Sequence, residues 1–408
     1  MIRYLPLMLT LGAIILFAKN MHAAEPIHLY IDADRTGAQA SGIAIEQGIR
    51  VALDEVGNQI AGRPVKVMIR DHHGSSVRSK RHLKEYLSDD QALVVFSGLH
   101  SPPLLENLSF INEHQILILD PWATAGPITR YPSKENWVFR LSVDDTKAGA
   151  VIVNSALKEG FKKPYLLLEE TGWGRSNHKN MTAALKQQGI TPLGVQWFNW
   201  NLGATGAKIM LRNIIDSGAD VILLVANAAE GKTFAKAMLA LVTDEDQVSL
   251  PIRSHWGITG GDFPQVISVA DRRQLDLKFL QTRFSFVSST PTPLSTKVLS
   301  HSQQLFPNTI KTAADIKAPT GFIHAYDLTR LFIVAVTNSG LSDDIKHDRQ
   351  TLRSALENID QPIEGLIKTY QKPFSTFSNI NIDAHEALSA DDFVMAYFNE
   401  ENNIVLDQ

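Results

Sequence analysis

The chain has 408 residues, enough for two domains of ordinary size, and its 44% apolar and 20% charged residues, without long charge runs or low-complexity tracts, are those of a globular protein. A net charge of −4 offers no basic face for nucleic acid. The absence of cysteine excludes disulfides, thiol catalysis and a lipid-modified cysteine.

Residues 1–24 read as a cleavable secretory signal peptide, with a lone Arg3, an apolar run over 5–17 and small residues before Glu25-Pro26. Cleavage is expected after Ala23 or Ala24, and the apolar run is short for a retained membrane span. Because Arg3 and Lys19 leave with it and no acid does, the mature chain stands near −6. An exported chain of this size without disulfides fits the bacterial periplasm, as a protein that is not a lipoprotein.

The first half alternates strand and helix. A strand is expected at 27–31, then a loop over 32–42 and a helix with Ile45, Ile49, Ala52 and Val56 on one face. Gly62-Arg63-Pro64 turns the chain into a strand at 65–69 that ends in Asp71-His72-His73-Gly74, and a helix follows over 77–87. Residues 92–130 then form the organising stretch: a buried strand at 92–97, a helix opening at Ser101-Pro102-Pro103, a second buried strand at 116–119, and the loop 120–126. In parallel sheets the loops leaving the carboxyl ends of strands carry the ligand site. Ser101 stands where a helix N-cap is expected, and free N–H groups at a helix start can hold an anion. Thr124 and the face of Trp122 lie in the second loop. The alternative is a capped helix and a turn that bind nothing.

After residue 142 the alternation restarts, with helices expected at 147–157, 179–188, 207–217 and 231–242 and strands at 164–168, 194–198, 221–225 and 251–254. The loops after these strands are 169–175, 226–230 and 255–261. A strand-like crossing at 277–286, helices at 295–305, 321–339 and 348–358, a short strand near 365–369 and a closing hairpin at 393–406 complete the chain. The pattern is that of two doubly wound parallel sheets, and a cleft between two such lobes favours a small ligand.

Catalytic signals are weak. No G-x-S-x-G elbow or H-E-x-x-H occurs, and Gly203-Ala-Thr-Gly-Ala-Lys208 lacks the order of a phosphate loop. Adjacent histidines at 72 and 73 point to opposite sides of an extended segment, so no metal is expected there. Glu169, Glu170, Arg175 and Glu230 are expected as solvated rim charges. No cofactor is implied.

Gly48-Ile-Arg-Val-Ala-Leu-Asp-Glu55 followed by Gly62-Arg-Pro, the stretch 92–101 and the stretch 116–124, in this order and spacing, resemble periplasmic type I solute-binding proteins of the leucine/isoleucine/valine-binding class of ABC transporters. The similarity spans residues 25 to about 398. It implies an α/β Venus-flytrap fold, two parallel-sheet lobes joined by three crossovers, here expected near Ser142, Phe284 and Asp360. The first lobe is then 25–142 with 285–360, and the second 143–284 with 361–408. It also implies a small-molecule ligand, a membrane ABC permease (or, alternatively, a sensor kinase or chemoreceptor) as partner, a mostly monomeric state, and no enzymatic activity.

Carried onto this sequence, the resemblance implies a carboxylate held by Ser101, beside His100, and by the loop containing Trp122 and Thr124. It implies an aromatic wall at Trp173 and contacts near Asn227. The acid that takes a ligand ammonium in the family is replaced here by His255-Trp256, and Asp120 is an acid that could serve from the other side. Convergence of Trp122, Trp173 and Trp256 would suit a bulky, aromatic, apolar or cationic amino-acid-like solute.

Overall fold

The structure, a computed structural model, describes residues 24–407 other than Ser288. The signal-peptide reading thus falls almost wholly outside the described residues. No helix among those described is long and apolar enough to cross a membrane.

The first sheet contains β1 (Ile27–Ala33), β2 (Gln59–Ile60), β3 (Arg63–Asp71), β4 (Ala92–Ser97), β5 (Ile118–Asp120) and β6 (Val138–Arg140), in the order β2-β3-β1-β4-β5-β6. Only β2 runs antiparallel to its neighbour, and Ile31 in β1 sits opposite Ile69 in β3 and Phe96 in β4. The second sheet begins with β7 (Pro164–Glu169), β8 (Gly194–Phe198), β9 (Val221–Val225), β10 (Ile252–Ser254) and β11 (Leu277–Thr282), all parallel. The chain then forms a small antiparallel pair, β12 (Ile363–Glu364) with β13 (Thr369–Tyr370), before β14 (Phe393–Phe398) and β15 (Ile404–Leu406) join the second sheet as an antiparallel edge. Its order is β15-β14-β11-β10-β9-β7-β8. Every residue of β4 and β9 is buried because helices cover both faces, which explains their unbroken apolar sequences. At the edge, β8 is mostly half-buried.

Two helix starts differ from the sequence expectation. The helix expected from 179 begins at Gly172, because the Thr171 hydroxyl accepts the N–H of Gly174 at 3.3 Å and caps it. The helix expected from 231 begins at Ala228 with Asn227 at its N-cap. Both shifts carry a site residue from a loop to a helix start.

The third crossover also lies elsewhere than near Asp360. The carboxylate of Asp327, buried in the helix Pro319–Ser339, accepts the N–H groups of Leu366 and Ile367 at 2.6 and 3.1 Å and the Tyr370 hydroxyl at 2.7 Å. Beyond the β12–β13 pair, His385 stacks on Phe139 at 3.7 Å, and its backbone oxygen accepts the N–H of Arg140 at 2.9 Å. Residues 361–388 therefore stay against the first sheet, and the chain re-enters the second at Phe393. These anchors are isolated polar groups in an irregular segment, which periodicity does not reveal.

Candidate functional site

The carboxyl ends of β4 and β5 in one sheet and of β7, β9 and β10 in the other open toward one gap, and residues at and after these ends line one small shared pocket. The first lobe contributes Leu99, His100, Ser101, Pro102, Trp122 and Thr124. The second contributes Glu169, Trp173, Asn227, Trp256 and Gly257. Thus His100, Ser101, Trp122, Thr124, Trp173, Asn227 and Trp256 come together around one space, whereas Asp120 does not line it.

Asp120 has another use. It is fully buried, and one of its oxygens accepts the Ser97 hydroxyl at 2.7 Å and the N–H groups of Trp122 and Ala123 at 3.1 and 2.8 Å. It bends the loop that carries Trp122 and is not placed to meet a ligand ammonium in the cavity. Burial raises its carboxyl to about 7, against the opposing pull of Arg140 and these donors.

Ser101 is the first residue of a five-residue helix, Ser101–Leu105, whose N-cap is His100. Its hydroxyl oxygen accepts the N–H groups of both Thr124 and Ala125 at 3.2 Å, so it ties the two loops of the first lobe together. From below, the buried Arg140 donates to the carbonyls of Ala123 and Ala125 at 3.3 and 3.0 Å and is held by Glu386 at 2.6 and 3.0 Å. The same guanidinium lies 3.2 Å from Asp144, which caps the helix Asp145–Lys158 at the passage into the second lobe. Loop shape and crossover are thus fixed by one ionic cluster.

The tryptophans form the walls. Trp122 and Trp256 meet edge to face across the gap, while Trp173 stands edge to face with His255 at 5.1 Å. His255 is wholly committed: its Nδ1 accepts the N–H of Trp256 at 3.0 Å, and its Nε2 lies 3.1 Å from Asp145. A side chain at Gly257 would come within 2.8 Å of the Trp173 ring and 2.5 Å of the Ala226 carbonyl, so only glycine lets the Trp173 wall close.

Several polar atoms in this wall have no partner among the described residues. The indole N–H groups of Trp122 and Trp173 and Nδ1 of His100 are all buried and unpaired. Buried donors are normally satisfied, so this concentration marks a place suited to a molecule with acceptors. The other ring nitrogen of His100 is 3.0 Å from Asp34. Despite burial, that bond and the N–H groups of Thr36 and Gly37 hold Asp34 well below the usual carboxylate range.

Sequence reasoning missed Glu169. Expected as a solvated rim charge, it is fully buried at the end of β7 and lines the cavity. Two adjacent glutamates at a strand end must point to opposite sides; that alternation was the available signal. Glu170 is the outer one and pairs with the exposed Arg175 at 2.9 Å. Glu230 is also buried, accepting the N–H of Asn201 at 3.0 Å. Asp71, His72 and His73 form no metal site: Asp71 accepts the N–H of Arg35 at 2.9 Å, and His72 Nδ1 accepts that of Gly74 at 3.0 Å. Among the described residues no group of three or more His, Cys, Asp or Glu could hold a metal ion.

The family model described as periplasmic binding protein matches residues 30–250. The chain belongs to the periplasmic binding protein family. Its fold is the type I form, as the solved structures show. A type 1 periplasmic binding protein from Bordetella pertussis shares 15% identity with a TM-score of 0.74, covering 94% of this chain and 99% of that one. A solute-binding protein of an ABC transporter from Rhodopseudomonas palustris, solved in complex with p-hydroxybenzoic acid, also shares 15% identity with a TM-score of 0.74, covering 94% and 96%. A leucine-binding protein from Thermotoga maritima shares 14% identity with a TM-score of 0.72, covering 94% and 98%. At such identities the likeness is one of fold. No curated protein matches the sequence.

Proposed function

We propose that this periplasmic binding protein is the non-enzymatic solute receptor of an ABC-type uptake system, acting as a monomer in the periplasm. It takes a small organic solute, amino-acid-like and with a bulky, aromatic or apolar body, between its lobes. Hinge closure buries the solute, and the closed form is read by a membrane permease. One observation carries this reading: five strand-end loops from two sheets converge on one pocket walled by Trp122, Trp173 and Trp256, two of whose indole N–H groups are buried and unpaired. Ser101, Thr124 and those N–H groups would hold the oxygens of the solute, and the indole faces its body. Neighbouring folds are compatible with such contents, since they include a protein named for leucine and solute-binding proteins solved in complex with p-hydroxybenzoic acid and with benzoate.

A thermal-shift panel of amino acids, aromatic acids, amides and amines on the protein 25–408 tests it. A solute at about 100 times its dissociation constant adds roughly 2.7 kcal/mol of stability. A hit that vanishes in Ser101→Ala and Trp173→Ala supports the reading; a well-folded protein that no solute shifts contradicts it.

A further inference from the structure

We propose that Glu169 is the cation subsite of this cavity: its carboxylate receives the ammonium, or another compact cationic head, of the solute. The inference rests on the solute-binding reading above and adds to it the charge of the solute.

Glu169 is the one acid in the cavity wall, and neither lysine nor arginine lines it. The other nearby acids do not line it. Asp120 holds its own loop, Asp145 sits behind the wall against His255, and Asp34 is paired with His100. Where the resemblance would place an acid, Trp256 stands.

The carboxylate is also oriented. The Thr171 hydroxyl donates to Oε1 at 3.0 Å and the Asn227 amide to Oε2 at 2.9 Å. Each oxygen retains acceptor capacity for a second donor. Thr171 and Asn227 are the N-caps of the helices Gly172–Gln187 and Ala228–Glu245, so both supporting groups stand on rigid elements.

Electrostatics favours a positive guest. Burial raises Glu169 to about 7, opposed by its hydrogen-bond donors and the facing His100 and assisted by the like charge of Glu230. A cation would remove the cost of ionising it in this dry setting, and the indole faces attract a cation further. A free carboxylate such as benzoate would instead face Glu169, and the one basic side chain in the wall, His100, is already paired with Asp34.

Titration calorimetry with benzylamine and benzoate, similar in size and opposite in charge, tests the assignment. At pH 8 the wild-type protein is expected to bind benzylamine at least tenfold more tightly than benzoate, and Glu169→Gln to abolish that preference. Because Glu169 titrates near 7 when unliganded, benzylamine binding should weaken about tenfold from pH 8 to pH 6 in the wild type and stay level in Glu169→Gln. The wild-type pH comparison needs no variant to fold. Benzoate binding more tightly than benzylamine, an anionic hit from the thermal panel, or a charge preference that survives Glu169→Gln overturns the assignment and leaves solute binding intact. If neither probe nor any member of the panel binds the folded wild type, the solute-binding reading itself falls, and this assignment with it.

Discussion

Trp122, in the loop after β5, and Trp256, in the loop after β10, stand edge to face with ring centroids 6.3 Å apart and planes at 66°. The two indoles belong to different sheets, so their contact measures how closely the lobes approach. The backbone N–H of Gly126 in the first lobe also donates to the Ser176 hydroxyl in the second at 3.1 Å. Hinge opening would break both contacts and expose the cavity between them.

Trp173→Phe keeps an aromatic wall while removing the indole N–H and part of the ring. That N–H is buried and unpaired in the structure, so its loss costs the unliganded protein no hydrogen bond, and the smaller ring should cost it about 1–3 kcal/mol. A solute that accepts from the N–H should bind about five- to tenfold more weakly, the net value of one hydrogen bond. Calorimetry with the thermal-panel hit checks this, and equal affinity of both proteins would remove Trp173 from the polar contacts.

Ser101→Ala leaves the buried N–H groups of Thr124 and Ala125 without their acceptor. Urea unfolding should show a loss of about 1–3 kcal/mol. No loss would mean that the two loops are not tied through this hydroxyl.

Arg140→Met should be among the most damaging single changes. It takes from the buried Glu386 its bidentate partner, while Asp144 keeps Arg130, and breaking a buried ion pair costs about 3–5 kcal/mol. It also frees the carbonyls of Ala123 and Ala125. Unfolding midpoints of Arg140→Met and of the double change with Glu386→Gln check the assignment, because the double variant should recover part of the loss.

Asp120 gives stability a particular pH dependence. Its folded carboxyl is raised to about 7 by burial, while the unfolded group titrates near about 4. Between these values the folded state binds the proton and the unfolded state does not, so this group's contribution declines as pH rises from about 4 to about 7 and is level beyond. Asp120→Asn keeps an acceptor for Ser97, Trp122 and Ala123 and removes the titration. Its stability relative to wild type should therefore increase across that window. A constant difference between the two proteins would contradict the raised value.

Much of the architecture was legible in the sequence because buried parallel strands leave unbroken apolar runs: β4 and β9 fall where the sequence places them. The cavity wall was legible where residue type and strand-end position coincide, as at Ser101, Thr124 and Trp173. Roles set by side-chain direction were not. Asp120 and Glu169 are both acids at strand ends, yet Asp120 turns back onto its own loop and Glu169 reaches the cavity. The fold decides between these directions through partners distant in sequence, such as Ser97 for Asp120 and Asn227 for Glu169. The anchors that keep residues 361–388 on the first sheet were hidden for the same reason.

The most direct test of the central claim is native mass spectrometry of the protein 25–408 after incubation with the solute panel. The account predicts a one-to-one complex with a single small organic solute, retained by the wild type and lost in both Ser101→Ala and Trp173→Ala. A wild-type protein that retains no solute, or a complex that survives both substitutions unchanged, would contradict the assignment of this cavity as the binding site.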